Sequence, residues 1–212
     1  MMQVKFFTFN PFSENTYILY DETKECVIID PGCSNSAEEK QLAAFIEDNN
    51  LKPVKLLNTH GHIDHVLGNR FVAEKYNLEL EAHKLEEAGI LATDVYASNY
   101  GMHAPKSPTP AKYLDEGDKV KFGNTVLDIL FTPGHSAGHI VFYSPEKKII
   151  IGGDVLFRES IGRTDLPGGD YDTLIKSIKE KLFVLEDDIE VYPGHGPKTT
   201  IGYEKQYNPF LR

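Results

Sequence analysis

NTHGHIDHVLGN, residues 58–69, places three histidines and an aspartate within six positions: His60, His62, Asp64 and His65. The whole chain of 212 residues holds only eight histidines, so this concentration calls for a chemical reason. Residues two apart on a helix diverge, whereas on an extended segment they point the same way. Leu56-Leu57 reads as the end of a strand, which predicts an extended turn through His60 and His62. Gly61 between them lets the backbone bend closely around something small. Asp64 and His65 then open a helix from the same corner, and Val66, Phe71 and Val72 continue its apolar pattern.

On the amino-terminal side, VKFFTF, TYILY and CVIIDPG are β-branched or aromatic runs broken by turn residues. SAEEKQLAAFIEDNN has helical spacing, with Ser36 as the expected cap and Glu39 three residues on. LELEAH is a short strand, and KLEEAGILATDVYA reads as helical. Residues 98–112, SNYGMHAPKSPTPAK, show no period and read as a surface loop placed to cover a site. DKVKF, TVLDILFTPG, IVFYSP and KKIIIGGD are strands, YDTLIKSIKEKLFVL is a helix, EVYPG a last strand and IGYEKQY a short closing helix. Strands and helices alternate in both halves, which predicts a layered α/β fold, taken as one domain over 1–212. Pro133-Gly134-His135 and Pro193-Gly194-His195 each follow an apolar strand, so one turn design delivers two histidines.

Imidazole and carboxylate groups converging on one point suit a borderline cation such as Zn²⁺, with iron or manganese accepted by the same donors. A catalytic zinc takes three protein ligands and leaves a position for water. The strand-end residues His135, Asp154 and His195 join His60, His62, Asp64 and His65 as candidates. So many donors point to two ions, with a bridging carboxylate. Asp154 is the best bridge, because Gly152 and Gly153 clear space beside it. Ordinary packing is the competing explanation for any one of these residues. Burying all of them without a cation would cost several kcal/mol each.

The pattern Thr59-His-Gly-His-Ile-Asp-His65, followed by His135, Asp154 and His195, resembles the metallo-β-lactamase superfamily over nearly the whole chain. The resemblance implies an αβ/βα four-layer sandwich, two mixed sheets flanked by helices. It implies His60, His62 and His135 as ligands of a first metal and Asp64, His65 and His195 of a second, with Asp154 as the bridge. Within the superfamily, LFRESIGRTDLPGG, YPGHGPKTTIGYE and the ending NPFL are similar to small glyoxalase II-like hydrolases. The implied reaction is hydrolysis of a 2-hydroxyacyl thioester by metal-bound hydroxide, with Asp64 orienting the nucleophile as well as binding metal. Arg163 is the implied grip for a substrate carboxylate, with a salt bridge to Asp165 or Asp170 as its structural alternative. The helical domain that follows the catalytic domain in full-length glyoxalase II has no expected counterpart after Tyr203. The aromatic expected after Gly162-Arg163 is replaced by Thr164-Asp165. Both departures argue against glutathione as the thiol.

The Gly162-Arg163-Thr164-Asp165 run is also similar to persulfide dioxygenases, which use one iron on the counterparts of His60, His135 and Asp154. A non-enzymatic metal-bound module is the weakest reading. Net charge is −10 and pI about 5.3, which disfavours nucleic acid and anionic membranes as partners. A small-molecule thioester is the expected partner. Cys26 and Cys33 form no disulfide framework, so both thiols read as structural in a reducing, cytoplasmic setting. Asp30 and His139 are expected to support the metal loop from behind the ligands.

Overall fold

The β-branched and aromatic runs pair into two mixed six-stranded sheets in the computed structural model, which describes residues 1–212. Two compact units result: 1–114 with 121–126, and 115–120 with 127–212.

The first sheet runs β1 (Gln3–Phe9), β2 (Glu14–Tyr20), β3 (Glu25–Ile29), β4 (Lys52–Leu57), β5 (Leu80–Ala82), β6 (Lys112–Tyr113) in spatial order. β1 to β3 are antiparallel neighbours, and β3 to β6 are parallel. Parallel neighbours need crossovers. α1 (Ser36–Asp48) supplies one, while α2 (Ile63–Val66) and α3 (Asn69–Tyr76) supply the next. Leu42 and Ile46 of α1 and Val72 of α3 pack with Ile18, Ile28, Leu56 and Leu80 of the sheet, all essentially inaccessible. Burial of each such side chain contributes roughly 1.5–3 kcal/mol.

The α1 cap is Asn35 and not Ser36: its side chain accepts from Ala37 N and Glu38 N, on an extended backbone of φ −152°. Ser36 is the first helical residue. Residues 84–97 are also more broken than their pattern suggests. They form a 3₁₀ turn (Lys84–Glu86), α4 (Glu87–Leu91) and α5 (Thr93–Asn99). Ala92 N bonds back to Gly89 O, tightening the chain between α4 and α5. The irregular stretch is therefore shorter than 98–112. It is also anchored, since Ala104 and Ser107 are buried and Ser107 Oγ meets Thr93 Oγ1 at 2.9 Å.

The second sheet contains β7 (Lys119–Phe122), β8 (Thr125–Phe131), β9 (Ile140–Ser144) and β10 (Ile149–Gly153). A small hairpin of β11 (Leu156–Phe157) and β12 (Ser160–Ile161) follows, then β13 (Glu190–Pro193) and β14 (Thr199–Thr200). The spatial order is β14-β13-β10-β9-β8-β7. β10 is buried throughout, and its isoleucine run reads as a strand covered on both faces. α6 (Tyr171–Ser177) is capped by Asp170, whose carboxylate accepts from Thr173 N at 2.8 Å. The helical path then widens into one π turn over Ile178–Leu182, closed by Phe183 N to Ile178 O at 2.8 Å. It thus stops short of the expected 185. Leu174, Ile178 and Leu182 pack with Val141, Ile150 and Val191, while Lys181 turns out to Glu116. α7 (Ile201–Tyr207) closes the chain.

Both cysteines are buried and free. Burial pushes the Cys26 thiol up to about 12 and the Cys33 thiol up as well, which makes both poor nucleophiles. No helix is long and apolar enough to cross a membrane.

Gly134, at φ +128°, lets the turn after β8 press against α6: an added Cβ would lie 2.2 Å from Leu174 N. Gly134→Ala is expected to lose about 2 kcal/mol or more of stability, from overpacking and a left-handed backbone together. Urea denaturation measures it.

Candidate metal centre

In the first unit, β3 and β4 run parallel with Ile29 opposite Leu57, so Asp30 and Asn58-Thr59-His60 leave the sheet at one edge. Asp30 sits at φ +50°, unusual for a non-glycine residue. Its Oδ1 accepts from Thr59 N at 2.7 Å, and its Oδ2 accepts from Thr59 Oγ1 at 2.6 Å. Oδ2 also lies 3.1 Å from His65 Nδ1. Thr59 Oγ1 donates to Asp30, so it accepts from His60 Nδ1 at 2.9 Å. This relay assigns the Nδ1 proton in both histidines. His65 Nε2 then faces Asp64 Oδ2 at 3.7 Å. The His60 ring lies 4.7 Å from that of His62 and 4.2 Å from that of His65. Asp30, His60 and His65 offer ligand atoms within 4.8 Å of one another. Asp30 lies on the Nδ1 side, so its role here is to orient His65, as the sequence suggested.

Glu14, absent from the sequence reading, stands behind this cluster. It is fully buried, its Oε2 accepts from Thr16 Oγ1 at 2.9 Å, and its Oε1 lies 4.0 Å from His65 Nδ1. Burial pushes its carboxyl well above the usual carboxylate range, against the opposing pull of His65. Asn10 Nδ2 donates to Gly32 O and Asp64 O, each at 2.9 Å, and so holds the start of α2. A side chain at Gly32 would put Cβ 2.0 Å from Glu14 Oε2 and 2.5 Å from Asp64 O.

In the second unit, β10 and β13 are parallel with Gly153 opposite Pro193, so Asp154 and His195 emerge side by side. β8 points the same way through two antiparallel steps, and its turn carries His135 to that edge. His135 Nδ1 donates to Arg163 O at 2.8 Å, and its Nε2 faces Asp154 Oδ2 at 3.6 Å. His195 Nε2 lies 3.5 Å from the same oxygen. His139 Nε2 accepts from Asp154 N at 3.0 Å, which fixes the backbone of the carboxylate from behind. Gly162 is indispensable to this packing, since a Cβ there would sit 1.9 Å from Asp154 O.

These donor sets fit divalent cations. Nitrogen–oxygen gaps of 3.5, 3.6 and 3.7 Å are too long for good hydrogen bonds. Two donors bound about 2.1 Å from one tetrahedral cation stand about 3.4 Å apart. Neutral imidazoles with their protons on Nδ1 and carboxylates across from Nε2 are the donor chemistry of zinc and iron sites.

The metallo-beta-lactamase superfamily profile matches residues 9–195. The chain belongs to the metallo-beta-lactamase superfamily. It is 38% identical to hydroxyacylglutathione hydrolase GloC of Haemophilus influenzae, over 99% of this chain and 98% of that one. It is 37% identical to "Probable metallo-hydrolase YqgX" of Bacillus subtilis, over 95% of this chain and 93% of that one. Among solved structures, BLEG-1 B3 metallo-beta-lactamase superposes with a TM-score of 0.90 at 33% identity, over 99% of both chains. TTHA1623 in a di-iron-bound form gives 0.88 at 39% identity, over 98% of this chain and 100% of that one. The two mixed sheets flanked by helices are thus the superfamily fold, and the coarse activity is that of a metallo-hydrolase.

In this superfamily member Arg163 is not simply extended toward solvent. Its guanidinium makes a fork with Asp165, Nε to Oδ1 and Nη2 to Oδ2 both at 2.7 Å. Asp170 is spent on capping α6, which decides between the two salt-bridge partners expected from the sequence. Arg163 holds the Asp165 carboxyl down to about 2. The pair is exposed, so its contribution to stability is small. A depressed carboxylate pKa contributes above the ordinary range near 4, and that contribution fades as pH falls through about 2. A ¹³C NMR titration of the Asp165 carboxyl is expected to show its midpoint near 2, moving toward 4 in Arg163→Ala.

Proposed function

We propose that this chain is a binuclear metal-dependent hydrolase of thioesters, acting on a 2-hydroxyacyl thiol. His60, His62, Asp64 and His65, with His135, Asp154 and His195, would hold two divalent cations, Asp154 serving both. The observation that carries the reading is the 3.5–3.7 Å spacing of imidazole Nε2 from carboxylate oxygen in each donor set. The hydrolase names of GloC and YqgX support the reaction class, and the former supports a thioester as substrate.

The cations supply Lewis acidity, making water a competent nucleophile near neutral pH and polarising a carbonyl. The protein's own part is orientation. Asp30 and Thr59 hold His65 and His60 in the tautomer that presents Nε2. Asp64, partly exposed beside buried His65, is placed to accept a hydrogen bond from an attacking water and aim it. A thiolate leaves without help from a strong general acid. Arg163 would grip a substrate carboxylate once Asp165 is displaced from the fork. With that fork already filled, and with Thr164-Asp165 after Gly162-Arg163, a thiol other than glutathione is favoured. Zinc is the proposed metal, and the di-iron form of TTHA1623 makes iron the direct competitor. Two buried free thiols fit a cytoplasmic location.

Asp154→Ala, with wild-type circular dichroism, is expected to lower turnover of an S-lactoyl thioester by at least about a hundredfold. Unchanged turnover would overturn the mechanism. Oxygen uptake with a glutathione persulfide, and one iron per chain, would replace it with sulfur oxidation.

A further inference from the structure

Gly61 separates the two histidines of the His-Gly-His turn, and something must hold that turn in shape. The holder comes from 25 residues further along the chain. Gly61 N donates to Glu86 Oε2 at 2.7 Å. Glu86 is 5% exposed, so its carboxylate has been taken almost entirely out of water. Such burial is costly unless hydrogen bonds repay it, and a bond from a backbone N–H to a carboxylate is of the stronger, charge-assisted kind.

The contact is more than one hydrogen bond. A Cβ on Gly61 would stand 2.9 Å from Glu86 O and 3.1 Å from Ile90 N. A Cβ on Gly89 would stand 3.0 Å from Gly61 O. Backbone thus lies directly on backbone: a side chain at Gly61 would force the two segments apart, and one at Gly89 would press tightly on the Gly61 carbonyl. The segment carrying Glu86 is itself anchored. Ile90 is fully buried in the core with Leu56 and Leu80, and His83 Nδ1 accepts from Leu85 N at 3.2 Å to cap the 3₁₀ turn. A fixed platform therefore meets a glycine flanked by His60 and His62.

We infer that Glu86 is a positioning residue, whose grip on the Gly61 N–H sets the His60–His62 turn in its cation-accepting shape before any cation binds. The inference rests on the metal reading of those histidines. It assigns to Glu86 no contact with metal or substrate. A glutamine at the position keeps an oxygen able to accept the same bond, whereas alanine removes it.

Zn²⁺ affinity is measured on the full metal-free chain by competition with a chromophoric chelator, and Co²⁺ is added to report ligand geometry through its visible absorption. Glu86→Ala is expected to weaken Zn²⁺ binding roughly 10- to 100-fold and to alter the Co²⁺ spectrum, while Glu86→Gln stays within about threefold of wild type. Amide exchange of Gly61 in the metal-free wild type, which needs no variant to fold, is expected to be slow. Wild-type affinity and spectrum in Glu86→Ala, or fast Gly61 exchange, would overturn the inference. A wild-type chain that binds neither ion would instead remove the metal reading itself.

Discussion

Asp30 accepts hydrogen bonds from Thr59 N and Thr59 Oγ1 and faces His65 Nδ1, and this one carboxylate ties the end of β3 to two of the histidines. The parallel register of β3 and β4 makes the contact possible by bringing Asp30 and Thr59 to the same edge. Its left-handed backbone costs about 1 kcal/mol or somewhat more. Hydrogen bonds to a charged group return about 1.5–3 kcal/mol each, so the strained residue is comfortably held. Without it the imidazoles would still be buried, but nothing would decide which nitrogen carries the proton. A histidine with its proton on Nε2 cannot ligate from that atom, so the parts His60 and His65 play as donors depend on this choice.

The second unit solves the same problem with backbone. Arg163 O takes the Nδ1 proton of His135, and the Asp154 N–H is taken up by His139. Carbonyls and amides can do this only if chain segments come very close, which explains Gly162. The first unit relies on buried carboxyl groups, Asp30, Glu14 and Glu86, together with the close glycines Gly32 and Gly61, and the second on backbone groups and Gly162. The carboxylates of Asp30 and Glu86 also place negative charge near a set of otherwise neutral imidazoles, which favours a cation among them, whereas burial drives Glu14 toward its neutral form.

Much of this was visible in the sequence because the relevant signals are local. The strands announce themselves through β-branched runs. His60, His62, Asp64 and His65 stand out as a polar cluster against the apolar ends of β4 and α2. Errors fell where two neighbouring residues could do one job. Asn35 and Ser36 are both good caps, and only the backbone angle chose Asn35. Residues 84–97 hold a helical pattern, yet Ala92 and Thr93 bond back to Gly89 O and Ile90 O and divide it. Glu14 and Glu86 were invisible for a different reason. A lone carboxylate reads as solvent-facing until tertiary structure buries it, and Glu86 sits beside Glu87, which merely meets the Tyr113 hydroxyl. Asn10 likewise looks like a turn residue, which it is, and also spans 54 positions to Asp64 O.

Metal choice follows from the same chemistry. The donors are imidazole and carboxylate throughout; Cys26 and Cys33 are buried, and their thiols are pushed toward the neutral form that ligates poorly. A set without soft sulfur does not separate zinc from ferrous iron by ligand type, and raw affinity orders the two only within the general series of divalent ions. Geometry is left to discriminate, and the 3.5–3.7 Å nitrogen–oxygen gaps suit the nearly equal bond lengths of both. A scaffold of this kind can therefore accept either ion without rebuilding its ligands. Which one it carries is then set by supply, because both ions bear the same charge and the buried carboxylates of Asp30 and Glu86 behind the proposed ligands favour the two alike.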